Sequence, residues 1–196
     1  MESSQVRYAI FASGSGTNAR ELIKYFDENP AYGTVVLIVC NRPGAGVLEV
    51  AKHYHIPSLL INKAQLQDEP YLLSILNQYQ VNSIVLAGFL LKVPAFMVAN
   101  YTNRMINIHP ALLPKYGGKG MYGQNVHRAV IVNGEQESGI TIHLVNERYD
   151  EGPILFQDRC AIEEGETPET LAKKIQALEW RHFGPVVARY FEKLGK

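Results

Sequence analysis

Short apolar runs alternate with helical patterns along the first half of the chain. The apolar runs predict strands over residues 6–12, 34–40, 58–61, 83–87 and 105–108. Apolar positions at helical spacing predict helices over residues 18–26, 46–53 and about 71–79. Strands separated by helices of this size favour parallel pairing with right-handed crossovers. The sequence therefore predicts an α/β fold with a doubly wound, mostly parallel sheet, and ligands are expected at the carboxyl ends of its strands.

The last third of the chain predicts a different arrangement. A helix over residues 124–132 is followed by strands over 139–145 and 153–162, which we expect to form an antiparallel addition to the sheet. A final amphipathic helix is predicted to begin at Thr167 and Pro168, because Thr is a good N-cap and Pro suits the first turn. It is expected to run toward Leu194, and Pro185 is the point where it could break.

Length and charge exclude several classes of protein. The 196 residues fit one domain, which we expect to span residues 1–196. Because 19 basic residues balance 19 acidic ones, no basic surface for nucleic acid is expected, and an anionic substrate has to be bound locally. Residues 1–7 lack the organisation of a secretory signal, and no apolar run reaches the length of a membrane span. We expect a cytoplasmic protein with no nucleic-acid or membrane partner.

The strongest candidate for chemistry is the end of the apolar run at residues 105–108. Asn107 and His109 fall on the same side of a strand because side chains alternate, so an amide and an imidazole can converge on one small molecule. Such a pair suits acyl-type chemistry. Taken alone, the pair is equally compatible with two structural polar groups whose hydrogen bonds are satisfied within the fold.

A glycine-rich loop follows the first predicted strand and opens the first helix. Its sequence from Ser13 is Ser-Gly-Ser-Gly-Thr-Asn. Backbone N–H groups and the helix dipole make this position suitable for a phosphate. The loop has neither the Lys-Ser/Thr of the Walker pattern nor the third glycine of the dinucleotide fingerprint. A tight turn with an Asn cap explains it equally well on its own.

Residues 109–116, His-Pro-Ala-Leu-Leu-Pro-Lys-Tyr, resemble the hallmark of the folate-dependent formyltransferases, which carry His-Pro-Ser-Leu-Leu-Pro after an Asn-x-His strand end. The glycine loop is similar to the Ser-Gly-x-Gly-[Ser/Thr]-Asn of the glycinamide ribonucleotide branch of that family. The resemblance implies a Rossmann-like fold and transfer of formyl from 10-formyltetrahydrofolate, as co-substrate, to glycinamide ribonucleotide in purine biosynthesis. No metal is implied.

The resemblance implies a role for each part of the site. Asn107 would donate its amide N–H to the formyl oxygen, and His109 would stabilise the oxyanion and help proton movement. Asp150 matches the family's Asp-x-Gly-Pro element and would raise the pKa of His109. Glu147 and Glu151, the other carboxylates of that loop, are expected to be solvated charges.

Substrate contacts follow from the same resemblance. The phosphate is assigned to Gly16, Thr17 and Asn18, and the substrate amine to Glu179, which on sequence alone is an ordinary helix-surface carboxylate. Residues 86–94 resemble the family's Leu-Ala-Gly-Phe-Met-Arg segment, although Leu91 stands where Arg is common. The implied folate contacts are Leu90, Leu91, Lys92, Val93, Asn107, Asn146, Glu147, Arg148, Tyr149 and Asp150.

The remaining histidines and cysteines carry no metal-ligand or triad spacing. Structural or solvated side chains are therefore predicted for His53, His55, His127, His143 and His182, and buried free thiols for Cys40 and Cys160. Formyltransferases commonly have a histidine after Pro-Lys-Tyr, but residues 117–127 depart from that pattern, so the role of His127 stays open. The tight turn suggests a cis Leu113–Pro114 bond.

Other functions remain as alternatives. A methionyl-tRNA formyltransferase would need a further RNA-binding barrel and a deformylase an N-terminal regulatory domain, and neither is expected in this chain. Transfer to a different amine, or a non-catalytic module that binds a nucleotide through the glycine loop, would use the same sequence features differently. Small-molecule partners are expected, with a monomer or a homodimer as the assembly.

Overall fold

The computed structural model describes residues 5–194, in which seven strands form one sheet. In chain order the strands are β1 (Arg7–Ala12), β2 (Thr34–Cys40), β3 (Ser58–Leu60), β4 (Ser83–Leu86), β5 (Met105–His109), β6 (Glu137–Leu144) and β7 (Ile154–Ala161). Their order across the sheet is β3-β2-β1-β4-β5-β6-β7. The first five pair in parallel, and β6 and β7 join in antiparallel fashion. The predicted sheet and its antiparallel addition are confirmed.

Helices cover the sheet. They are α1 (Thr17–Glu28), α2 (Gly46–His53), α3 (Lys63–Gln67), α4 (Glu69–Gln78), α5 (Ala95–Asn100), α6 (Gln124–Val132) and α7 (Pro168–Leu194), with a short 3-10 helix at Pro30–Tyr32. The predicted helices are all present. The pattern missed α3 and α5, because five and six residues are too few to establish a helical period.

Alternating side chains of the central strands enter two separate cores. Ile10 on β1 packs with apolar side chains of α1, α6 and α7 on one face. Phe11, the next residue, packs with Leu72, Leu76 and Met97 of α4 and α5 on the other. Burial on both faces explains why the parallel strands read as nearly continuous apolar runs.

The last helix begins where the sequence predicts, since the backbone N–H of Thr170 donates to Thr167 Oγ1 at 3.2 Å. The expected break at Pro185 does not occur, and α7 continues to Leu194 with Pro185 inside it. Packing compensates for the lost backbone hydrogen bond, because the neighbouring Gly184 lies so close to Tyr25 of α1 that a Cβ there would sit 2.6 Å from the ring. Buried side chains on both sides of the proline hold the helix against the sheet.

Two smaller expectations concern cysteines and membranes. Cys40 is a buried free thiol as predicted, whereas Cys160 is free but only partly buried. Within residues 5–194 no helix is long and apolar enough to cross a membrane. Most of residues 1–7, the segment considered as a possible secretory signal, lie outside the described residues.

Candidate active site

Loops from the carboxyl ends of β1 and β4 are bound to each other. The backbone N–H of Ser13 donates to Gly88 O at 3.0 Å, and the backbone N–H of Leu90 donates to Ser13 Oγ at 2.9 Å. Ser13 therefore fixes the glycine loop against the segment that follows β4. This is the edge of the sheet where a doubly wound fold binds ligands.

A polar cluster stands beside this edge, at the end of β5. Antiparallel pairing places Asn107 opposite His143 of β6, and Asn107 Nδ2 lies 3.0 Å from His143 Nε2 and 3.4 Å from Asp150 Oδ1. His143 Nδ1 lies 2.8 Å from Leu144 O and donates to it, which leaves Nε2 of the neutral ring as the acceptor for the amide. Asn107 thus presents its NH₂ group to His143 and Asp150.

His109 completes the cluster. Its Nε2–H donates to Tyr116 O at 2.7 Å, and its Nδ1 lies 3.6 Å from Asp150 Oδ2. The same carboxylate accepts a hydrogen bond from the backbone N–H of Gly118 at 2.8 Å. Asp150 therefore lies between the amide and the imidazole that the sequence assigned to catalysis, and the predicted cis Leu113–Pro114 bond lies in the turn that follows.

The acid-base balance of the cluster differs from the expectation. Burial lowers the pKa of His109, and His143 lowers it further, against the raising effects of Asp150 and of the Tyr116 carbonyl. The raising effect expected of Asp150 is present, but the net pKa of His109 is lowered because removing the imidazolium from water costs more than one carboxylate restores. Burial would raise the pKa of Asp150, but the neighbouring imidazoles of His143 and His109 and the hydrogen bond from the Gly118 N–H together hold it below its ordinary value.

His143 belongs to this cluster, which the sequence pattern did not reveal. It was expected to be structural or solvated, and it is buried against Asn107 and 3.7 Å from Asp150. The available signal was its place on a predicted strand next to the Asn-x-His strand, but the pairing register that brings the two side chains together is not visible in the sequence.

A cavity of about 770 Å³ opens beside His109 and Asp150, within the range for small-molecule sites. Of the residues assigned to the ribonucleotide, Asn18 and Glu179 line it, and Asn18 Nδ2 donates to Glu179 Oε2 at 3.0 Å. Asn18 Oδ1 is buried with no protein partner. Burial raises the pKa of Glu179 to about 7, although the hydrogen bond from Asn18 opposes the rise. The Glu179 carboxyl is therefore an acceptor that this wall offers to a ligand, whereas Asn18 Oδ1 is enclosed.

Gly16 and Thr17 lie at the start of α1 and do not line this cavity. Gly16 has a left-handed backbone with φ of +79°, and a Cβ there would sit 2.6 Å from Val47 Cα. Close packing of α1 on α2 therefore explains this glycine without a ligand. The loop's Ser13 and Gly14 do line the cavity.

A second cavity of about 70 Å³ adjoins the first on the side of the β4 segment. Most of the residues assigned to folate line it, namely Leu91, Lys92, Val93, Asn107, Asn146, Arg148, Tyr149 and Asp150. Leu90 faces the larger cavity, and Glu147 is exposed and lines neither. The Lys92 ammonium lies 5.8 Å from the centre of the Tyr149 ring and joins the two sides of the small cavity. Phe89 and His143 also line it and were not assigned.

The described residues offer no obvious set of metal ligands. In the described part of the chain there is no group of three or more His, Cys, Asp or Glu side chains that could hold a metal ion.

Comparisons with known proteins identify the family. Residues 6–187 match the Formyl transferase family. The chain belongs to this family. It is 39% identical over 192 residues to the chloroplastic phosphoribosylglycinamide formyltransferase of Arabidopsis thaliana, covering 95% of this chain and 66% of that protein. It is 33% identical over 185 residues to the phosphoribosylglycinamide formyltransferase of Bacillus subtilis, covering 92% of each.

A solved relative has the same fold. The crystal structure of phosphoribosylglycinamide formyltransferase from Bacillus halodurans superposes with a TM-score of 0.86 at 34% identity, covering 96% of each chain. The Rossmann-like formyltransferase fold implied by the sequence is therefore confirmed.

Proposed function

We propose that this formyltransferase moves the formyl group of 10-formyltetrahydrofolate to the amine of glycinamide ribonucleotide, giving formylglycinamide ribonucleotide and tetrahydrofolate in purine biosynthesis. One observation carries the proposal: Asn107 and Asp150 line both cavities. A formyl donor held in one cavity and an amine held in the other would meet at these two side chains.

The larger cavity suits the ribonucleotide. Its phosphate would bind at the glycine loop, where Gly16, Thr17 and Asn18 begin α1 and the helix dipole favours an anion. This local site accommodates a phosphate in a protein whose formal net charge is zero. Glu179 supplies an acceptor for the substrate's amine or hydroxyl hydrogens.

The smaller cavity suits the flat heterocycle of the folate. Leu91 and Val93 provide apolar walls beside the backbone that follows β4, and Asn146, Arg148 and Tyr149 face them from the other side. Its volume of about 70 Å³ is well below that of a drug-sized ligand site, so the co-substrate would not fit in it whole. Leu90, Lys92 and Glu147 complete the proposed folate contacts.

The reaction needs one bond formed, one broken and one proton moved. The substrate nitrogen bonds to the formyl carbon, the bond from that carbon to the folate nitrogen breaks, and a proton lost by the amine is gained by the folate nitrogen. Asn107 can exchange its long 3.4 Å contact with Asp150 for a hydrogen bond to the developing oxyanion. This use of the amide leaves its shorter hydrogen bond to His143 intact.

His109 is suited to hold the proton in transit. Because its Nε2–H is committed to Tyr116 O, the neutral ring has a bare Nδ1 that faces Asp150. A proton arriving at Nδ1 is stabilised by the carboxylate, and the lowered pKa of His109 favours its release afterwards. Asp150 acts on the reaction through this charge and through a water that it could organise.

An absorbance assay tests the proposal. Purified protein is given 10-formyltetrahydrofolate, and deformylated folate is followed with glycinamide ribonucleotide, with glycinamide that lacks the phosphate, and with no amine. Turnover that requires the phosphorylated amine supports the proposal. Equal turnover without any amine would indicate a deformylase. Equal turnover with the unphosphorylated amine would contradict phosphate binding at the glycine loop. No turnover at all would leave only a binding module.

A further inference from the structure

His127 is a buried imidazole on the wall of the larger cavity, and the proposed transfer reaction does not use it. It lies in the first turn of α6 and is only 5% exposed. It lines the same cavity as His109, Asn18 and Glu179, but it does not line the smaller cavity. Its position therefore associates it with the ligand of the larger cavity alone.

The side chain makes no hydrogen bond within the described residues. Its Nδ1 is fully enclosed and has no partner. Its Nε2 also lacks a protein partner but is not enclosed, so Nε2 is the nitrogen that reaches the cavity. A buried polar side chain without partners is uncommon, because an unsatisfied buried donor or acceptor destabilises the folded protein.

The enclosed Nδ1 decides which nitrogen carries the proton. An orphaned N–H is costlier than an orphaned acceptor lone pair, so the neutral ring keeps Nδ1 bare and places its proton on Nε2. Burial lowers the pKa of His127, and the nearby His109 opposes a second positive charge in the same site. His127 consequently presents a neutral N–H donor to the cavity.

We propose that His127 binds the ribonucleotide directly, with its Nε2–H donating a hydrogen bond to an oxygen of that substrate. The inference rests on the proposed function and adds a donor to a wall where Glu179 supplies an acceptor. Oxygens of the phosphate, the ribose or the amide carbonyl have the required chemistry. The folate is excluded as the partner because its proposed cavity does not include His127.

Three single-residue variants test this contact. His127→Phe keeps a ring and removes the donor, while His127→Gln retains an N–H near the position of Nε2. His182→Phe is the matched control, because His182 is a partly buried helical histidine outside both cavities and its partner is Asp158 at 2.8 Å. The KM for each substrate and the melting temperature are measured for all three.

The expected result is selective for one substrate. His127→Phe should raise the KM for glycinamide ribonucleotide about three- to tenfold, the range for one lost hydrogen bond, with little change in the KM for the folate. His127→Gln should recover part of the loss, and His182→Phe should keep both values. An unchanged ribonucleotide KM in His127→Phe, or equal increases for both substrates with a fall in melting temperature, would overturn the inference.

Binding measurements distinguish failure of this inference from failure of the proposed function. They also provide a test if His127→Phe does not fold. Calorimetry of glycinamide ribonucleotide with the wild type and with His127→Gln, together with ¹⁵N NMR of the imidazole, follows the contact without turnover. A ribonucleotide-dependent shift of the His127 Nε2 signal supports the inference, and its absence during saturable binding contradicts it. A wild type that binds no ribonucleotide and forms no product would overturn the proposed function itself.

Discussion

Asn107 Nδ2 lies 3.0 Å from His143 Nε2, across the antiparallel pair of strands that ends at the site. The other nitrogen of His143 donates to Leu144 O, so the ring is held in one tautomer and can only accept from the amide while it is neutral. His143 therefore sets which end of the Asn107 amide faces the substrates. It is a positioning residue for the group proposed to bind the oxyanion.

Removing this contact should impair turnover more than binding. In His143→Phe the amide of Asn107 is free to rotate, and we expect kcat to fall about ten- to a hundredfold, less than the loss of an oxyanion donor itself. The KM for the ribonucleotide should stay within about twofold, because His143 does not line the larger cavity. Steady-state kinetics on both substrates measure this, and an unchanged kcat would refute the positioning role.

Asp150→Asn separates charge from backbone geometry. Asp150 has a left-handed backbone with φ of +55°, which Asn tolerates well, so the loop should keep its shape. Loss of the carboxylate removes an effect that raises the pKa of His109, and this pKa should fall further. We expect kcat to drop about a hundredfold, while ribonucleotide binding persists.

NMR titration of the His109 imidazole checks the same variant independently of turnover. A pKa of His109 that stays unchanged or rises in Asp150→Asn would mean that the carboxylate does not act on the imidazole as the 3.6 Å separation implies.

Glu179 should make stability depend on pH. Its pKa is raised from 4.5 to about 7, so the folded protein holds a proton that the unfolded chain has released over this interval. Stability from this group is present below pH 4.5 and declines as pH rises toward 7. Glu179→Gln cannot show this decline and should be the more stable protein at pH 8, by at most about 3 kcal/mol. Urea unfolding of both proteins at pH 4.5, 6 and 8 measures the difference, and parallel curves would contradict the shift.

The glycine loop provides a matched pair of substitutions for stability. Gly16→Ala should destabilise the fold by about 1–3 kcal/mol, because its φ of +79° disfavours a side chain and the new Cβ would meet Val47. Gly14→Ala should change stability little, since a Cβ at this residue would have no atom within 4 Å and its backbone is not left-handed. Thermal unfolding measures both, and equal losses would show that the packing of Gly16 against Val47 is not the cause.

The sequence predicted the long elements and the main contacts of the site. Periodicity identifies the parallel strands because they are buried on both faces, and alternation puts Asn107 and His109 on the same side of their strand. The family resemblance, rather than periodicity, selected Asp150, which lies near both. Two features depend on tertiary structure instead. The register of β5 and β6 brings His143 to Asn107, and burial reverses the net pKa shift that a neighbouring carboxylate alone would give His109.

The sequence pattern also failed to predict the short helices α3 and α5 and the continuity of α7 through Pro185. A proline usually ends a helix, but the close contact of Gly184 with Tyr25 and the buried residues around it hold α7 continuous. Packing of this kind depends on which helices become neighbours, and local sequence does not contain that information.

Kinetic and binding measurements on His109→Ala test the central claim most directly. The claim is that this imidazole, next to Asp150 in the larger cavity, carries the proton of formyl transfer. Single-turnover formation of formylated ribonucleotide should slow by at least about a hundredfold, the scale of general acid-base catalysis, while the Kd of the ribonucleotide stays within a few-fold of the wild type. Near-normal transfer by His109→Ala would contradict the account.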